Sequence, residues 1–155
     1  MREERAAYRT ALPGPLYCDT SALLKLYMPE AGSDEFNAVV EGRDDVIVSD
    51  LAVTEIVSAV ARRQRDGSIT RDDARRLHHA ILARLDAGAY HRVELTRDVH
   101  RRAERLLLSL PRSALRAADA LHLALAESAR AASVASFDAR LAAAARATGL
   151  AVYPR

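Results

Sequence analysis

Residues 16–28 read Leu16-Tyr17-Cys18-Asp19-Thr20-Ser21-Ala22-Leu23-Leu24-Lys25-Leu26-Tyr27-Met28. The breaker Pro13-Gly14-Pro15 precedes them, so Leu16-Tyr17-Cys18 reads as a short buried strand that ends at Asp19, and Ser21 to Met28 as an apolar helix. An acid therefore stands at a strand's C-terminal end, where the chain turns into a helix.

The rhythm repeats along the chain. A helix over Ser33 to Val40 leads through the turn Gly42-Arg43-Asp44 to a strand, Val46-Ile47-Val48, and then to the helix that carries Glu55. Gly67 separates that helix from the next, which spans Thr70 to Leu85: Thr70 and Asp73 have capping-box spacing, and Gly88 closes it. Tyr90 to Leu95 reads as a strand, Thr96 caps a helix to about Leu110, and Pro111 stops it. A helix containing Asp119 follows. Ser133-Val134-Ala135-Ser136 is a strand, Asp138 opens a helix that runs to Thr148, Gly149 ends it, and Ala151-Val152-Tyr153 is the last strand. Strands alternating with helices predict an α/β fold whose mainly parallel, five-stranded sheet is covered on both faces. Ligands collect at the C-terminal edge of such sheets, and both Asp19 and Asp138 belong there.

With 155 residues, half of them apolar, the chain can bury one substantial core, and no composition shift divides it. Cys18 is the single cysteine, so no internal disulfide forms; a small buried thiol and a reducing, cytoplasmic setting fit. The segment Met1 to Thr10 is charged and lacks a signal peptide's apolar block, and no later apolar run approaches the ~18 to 20 residues of a membrane span. A soluble protein without membrane contact is expected. The net charge of +2 is uneven, because residues 62–116 hold 14 arginines against 7 acids. Such a block can attract polyanions, although on helices it is more often a solvated face.

Four acids, Asp19, Glu55, Asp119 and Asp138, are each embedded in apolar sequence, and none has an opposite charge immediately beside it. An isolated buried carboxylate is strongly disfavoured, so each needs a cation, a partner or a cap. Asp19 can cap the helix after it, and Asp138 can cap the last helix in competition with Ser136. Glu55 points nearly opposite the apolar stripe Val53, Ile56, Val57 and Val60, so solvent exposure is its simplest reading; the small face of Leu51, Ala52, Ser58 and Ala59 can instead line a cleft. Asp119 shares the segment Ala117 to Ala126 with one other polar residue, His122, and must meet a partner such as Arg116, cap its helix or enter a cation site. His122, one turn on, can orient a carboxylate, but as packed core it needs no such role.

Other chemistries lack their signatures. There is no phosphate-binding glycine loop, no H-E-x-x-H, no cysteine pair and no nucleophile elbow. His78 and His79, about 100° apart on one helix, diverge too far to serve one phosphate as acid and base. A receiver-like phospho-acceptor expects a lysine after a later strand, and Lys25 is the only lysine.

Four segments carry a family resemblance when taken in order: Tyr17-Cys18-Asp19-Thr20-Ser21-Ala22-Leu23, Ser49-Asp50-Leu51-Ala52-Val53-Thr54-Glu55-Ile56, Leu115-Arg116-Ala117-Ala118-Asp119-Ala120-Leu121-His122-Leu123-Ala124 and Ser136-Phe137-Asp138-Ala139-Arg140-Leu141. Together they resemble the PIN-domain family, and within it the VapC-type toxins, over about residues 16–153. The resemblance implies residues 1–15 as an N-terminal extension and 16–155 as a PIN domain with a three-layer α/β/α fold. The family's acidic positions fall on Asp19, Glu55, Asp119 and Asp138, and its hydroxyl positions on Ser21 and Ser136; threonine is usual where Ser136 stands. Also implied are Mg²⁺ or Mn²⁺ dependence, cleavage of single-stranded RNA, a homodimer, and inhibition by a VapB-type antitoxin. A catalytically silent PIN-like module that binds RNA or a partner is the alternative.

Crowded carboxylates raise each other's pKa unless a divalent cation neutralises them, and their hard oxygens suit Mg²⁺ or Mn²⁺. Asp19, Glu55 and Asp119 are the first-choice ligands, with Asp138 completing the site and Ser21 and Ser136 supporting it. Hydrolysis by metal-activated water then requires no histidine base. The arginine-rich middle would hold RNA phosphates beside an acidic pocket, and an antitoxin arginine could enter that pocket.

Overall fold

The computed structural model describes residues 12–155. Its elements, in chain order, are β1 (Leu16–Cys18), α1 (Thr20–Tyr27), α2 (Ser33–Val40), β2 (Val46–Ser49), α3 (Asp50–Arg65), α4 (Arg71–Asp86), β3 (His91–Val93), α5 (Arg97–Ser109), a 3₁₀ turn (Pro111–Ser113), α6 (Ala117–Ser128), β4 (Ser133–Ala135), α7 (Ala139–Ala147) and β5 (Ala151–Tyr153). Residues 1–11, most of the expected N-terminal extension, lie outside the described residues. Beyond them Leu12 is buried, the Pro13 carbonyl accepts from Ser133 Oγ, and the Pro15 carbonyl accepts from Ala132 N and Ser133 N.

The five strands form one sheet in the order β3-β2-β1-β4-β5, and all four pairings are parallel. Side chains alternate across a strand, so Leu16 and Cys18 face one layer and Tyr17 the other. The first layer buries Leu23, Phe36, Ile56 and Ile81 of α1 to α4 against Leu16, Cys18, Val48 and Ala135. The second buries Val99, Leu106, Leu123 and Leu141 of α5 to α7 against Tyr17, Ile47, Val134 and Val152. This is the three-layer α/β/α arrangement expected from the strand–helix alternation.

Local signals account for most helix starts. Thr70 and Asp73 form the full capping box of α4, Thr96 caps α5, and Asp138 caps α7 through bonds from Arg140 N and Leu141 N. The third strand is shorter than Tyr90 to Leu95: only His91–Val93 pairs with β2, because β3 lies at the sheet edge with a single neighbour. Cys18 is a buried free thiol, and burial pushes its pKa well up, which leaves it inert packing.

The connections fix where a ligand fits. From β1 to β3 the chain crosses through α1 to α4 on one face; from β3 to β5 it crosses through α5 to α7 on the other. The side changes between β1 and β4, which are neighbours. In open parallel sheets the crevice at such a switch point, beyond the strands' C-terminal ends, is the natural binding position.

Candidate active site

Asp19 occupies that switch point. It leaves β1 with its N–H bonded to the Ala135 carbonyl of β4 at 3.1 Å, and it is 3% exposed. Both carboxylate oxygens are engaged by neutral donors: Oδ1 accepts from Ala22 N at 2.8 Å and Ser21 Oγ at 2.7 Å, and Oδ2 accepts from Ser136 Oγ at 2.5 Å. Capping and site readings therefore coincide in one side chain. Burial raises its pKa, and the bonds from Ser136, Ser21 and Ala22 only partly oppose that rise. Among the described residues no cationic side chain forms an ion pair with it.

Glu55 corrects the solvent-exposed default. The buried line of α3 runs through Ala52, Ile56 and Val60, which turns Glu55 toward α6 rather than into open water. Its Oε1 accepts from Thr20 Oγ1 at 2.8 Å and lies 2.5 Å from His122 Nε2. The His122 bond is the main reason its pKa is held below the usual carboxylate value, with burial acting against it. His122 is thus more than packed core, since it grips Glu55 from α6 while Tyr17 and Ser49 stand behind it.

Asp119 is buried on α6. Its Oδ2 accepts from Arg116 N at 3.0 Å, closing the first turn, and Arg140 Nη1 of α7 stands 4.0 Å away. The expected Arg116 contact is thus made by backbone, and the nearby guanidinium comes from another element. Asp138 is exposed, and its Oδ1 is spent on capping α7. Ser136 does not compete for that cap: it donates to Asp19 and accepts from Asp138 N at 3.1 Å. Ser21 also reaches across the switch point, accepting from Phe137 N at 2.8 Å.

The links place the four acids around one edge. Thr20 follows Asp19 and bonds Glu55; His122 lies one turn from Asp119 and bonds Glu55; Arg140 N bonds Asp138 while its guanidinium approaches Asp119. Among the described residues no three acidic, histidine or cysteine side chains converge to hold a metal ion. The donor chemistry still suits a hard cation, because the contacts to Glu55, Asp119 and Asp138 all fall on one oxygen of each carboxylate. Thr20, Tyr17 and Ser49 were absent from the sequence-derived site. Only the adjacency of Thr20 to Asp19 hinted at any of them, since Tyr17 reads as strand packing and Ser49 only as the first residue of a family segment.

Residues 16–147 match the family model described as PIN domain. The chain is 37% identical over 144 residues to Ribonuclease VapC45 of Mycobacterium tuberculosis strain CDC 1551 / Oshkosh, covering 90% of this chain and 94% of that protein. Ribonuclease VapC49 of strain ATCC 25618 / H37Rv matches to the same extent. Among solved structures, the Mycobacterium tuberculosis Sarcin-Ricin loop cleaving toxin VapC20 superposes with a TM-score of 0.65 at 17% identity, over 83% of this chain and 94% of its own. FitAcB from Neisseria gonorrhoeae gives 0.64 at 20% identity, over 89% and 96%. At those identities the two structures speak for the fold alone. The chain belongs to the PIN-domain family, with the VapC-type ribonucleases among its relatives.

Proposed function

We propose that the protein is a metal-dependent endoribonuclease, the toxin of a type II toxin–antitoxin pair, that hydrolyses RNA phosphodiester bonds. Full-length similarity to proteins named ribonucleases supports an RNA-cleaving hydrolase. The observation that carries the site is Asp19, a carboxylate buried at the switch point with only neutral donors around it. Such a group gains most from a bound cation.

Asp19, Glu55, Asp119 and Asp138 would hold Mg²⁺ or Mn²⁺, with Ser21 and Ser136 orienting Asp19. When bound, a divalent ion supplies an activated water and neutralises charge on the phosphate during in-line hydrolysis. The chain's own task is to hold the acids. Ser136 and Ser21 fix the carboxylate plane of Asp19, Thr20 and His122 fix Glu55, and the α6 first turn fixes Asp119. Arginines of residues 62–116 stand mainly exposed on α3, α4 and α5, where they can hold RNA phosphates against the repulsion of the acids. Five of those fourteen arginines, Arg63, Arg76, Arg92, Arg101 and Arg102, stand in ion pairs with acids, for example Arg92 with Asp50 and Arg102 with Glu127.

A VapB-type antitoxin is the proposed partner, inhibiting by placing an arginine among the carboxylates, and a homodimer is the proposed assembly. Among the described residues no helix is long and apolar enough to cross a membrane. Incubating the purified protein with a broad RNA panel in Mn²⁺ or in EDTA tests the reading. Cleavage in Mn²⁺ that EDTA abolishes is expected; no metal-dependent cleavage of any RNA would favour a silent RNA- or partner-binding module. Sedimentation velocity tests the dimer.

A further inference from the structure

A buried polar strut runs from the centre of the sheet to Glu55. Tyr17 is fully buried on β1, the middle strand, and points toward α6. Its hydroxyl must find partners in the core, and it finds two: Ser49 Oγ at 3.0 Å and His122 Nδ1 at 2.6 Å. A phenol has one hydrogen to donate. Tyr17 donates its hydrogen to Ser49 Oγ, which also accepts from Ala52 N at 3.0 Å, so the phenol oxygen is left to accept from His122 Nδ1. The hydroxyl thus fixes the Nδ1 side of the ring, which leaves the other nitrogen, Nε2, on the far side. That nitrogen is the one 2.5 Å from Glu55 Oε1.

The geometry points to His122 as a positioning residue for Glu55, locked by Tyr17, with the strut clamping Oε1 so that Oε2 is the oxygen presented to a divalent cation. The inference rests on the metal-dependent reading above and assigns a role to two residues outside the acidic set. Glu55 has three rotatable side-chain bonds and is one-third exposed, so without a clamp its carboxylate samples solvent. Thr20 Oγ1 supplies a second bond to the same Oε1, and its 3.3 Å approach to His122 Nε2 closes a small triangle. Both bonds fall on one oxygen. A histidine that only filled space would not aim both ring nitrogens at functional groups 105 and 67 residues away.

The test measures Mn²⁺ affinity calorimetrically in wild type, His122→Leu, His122→Gln and Tyr17→Phe, with melting curves for each and ¹⁵N spectra of the His122 ring in metal-free protein. Partners that orient a metal ligand typically contribute about 10- to 100-fold in affinity. The expected result is a loss of about that size in His122→Leu, substantial recovery in His122→Gln, whose amide can still donate to Glu55, and a smaller loss in Tyr17→Phe. Nδ1 is expected to carry a hydrogen bonded to Tyr17 in wild type and to lose that bond in Tyr17→Phe. A folded His122→Leu with wild-type Mn²⁺ affinity overturns the strut alone, as does an Nδ1 that carries no hydrogen in wild type. Should His122→Leu not fold, Tyr17→Phe carries the test, and unchanged affinity with an unchanged Nδ1 signal overturns it. Wild type that binds no Mn²⁺ and cleaves no RNA overturns the ribonuclease reading and the strut together.

Discussion

Ser136, just past the end of β4, donates its hydroxyl hydrogen to Asp19 Oδ2 at 2.5 Å, joining residues 117 positions apart across the switch point. A hydrogen bond to a charged group is worth about 1.5–3 kcal/mol, and this one is buried. Ser136→Ala is expected to lower stability by roughly that amount at neutral pH, and Ser136→Thr, which keeps the hydroxyl, by much less. Urea unfolding of the three proteins decides it; equal midpoints for the alanine and threonine variants would show the bond to be worth little.

Asp19→Asn separates stability from activity. Asparagine keeps the capping acceptor for Ala22 N and Ser21 but carries no charge to bury. The folded-state pKa of Asp19 is raised, so its contribution to stability is fully present below the unfolded value of 3.8 and is lost as pH rises through the higher folded value. At neutral pH the ionised form is a cost, and the variant should be more stable by about 1 kcal/mol, or about 2–4 °C in Tm. Cleavage should vanish. A lower Tm than wild type at pH 7 in EDTA would contradict the burial argument.

Glu55 runs the other way. Its folded pKa is lowered, so its contribution is present above the unfolded value of 4.5 and is lost as pH falls through the folded value. Glu55→Gln should flatten the acid limb of the stability–pH curve, whereas Asp19→Asn should flatten the rise in destabilisation above it. Melting temperatures from pH 3 to 7 in both variants read the two signs independently.

Asp119→Asn should reduce cleavage by more than about 100-fold while leaving the first turn of α6 closed, because asparagine still accepts from Arg116 N. Circular dichroism and melting curves close to wild type are expected beside the lost activity. Retained cleavage in Asp119→Asn and Asp19→Asn alike would remove both residues from the site.

Ile81→Ala supplies the converse case. Ile81 is fully buried on α4, which bears none of the four acids, and its truncation should cost about 2–5 kcal/mol. Cleavage per folded molecule should be unchanged well below the Tm, and a large drop there would mean that α4 helps shape the site.

Much of the architecture is local in origin and was therefore readable along the chain. The alternation of short apolar runs with helical stretches, the capping box of Thr70 and Asp73, and the caps Thr96 and Asp138 each depend on residues within one turn of each other. The four acids were legible because they interrupt apolar segments, while Ser21 and Ser136 entered only through the family resemblance. The strand boundaries of β3 were not, since pairing at a sheet edge depends on the single neighbour it meets.

What the sequence alone determined is thus the set of elements and the acids that interrupt their apolar runs. Only the tertiary structure decided what holds each acid. Ser136 reached Asp19 instead of capping α7, His122 reached Glu55 instead of filling core, and Tyr17 turned from strand packing into the support of a histidine. Those contacts join residues 67 to 117 positions apart. They exist because the strand order β3-β2-β1-β4-β5 sets the ends of β1 and β4 side by side and α6 over Tyr17, a geometry that no local propensity encodes.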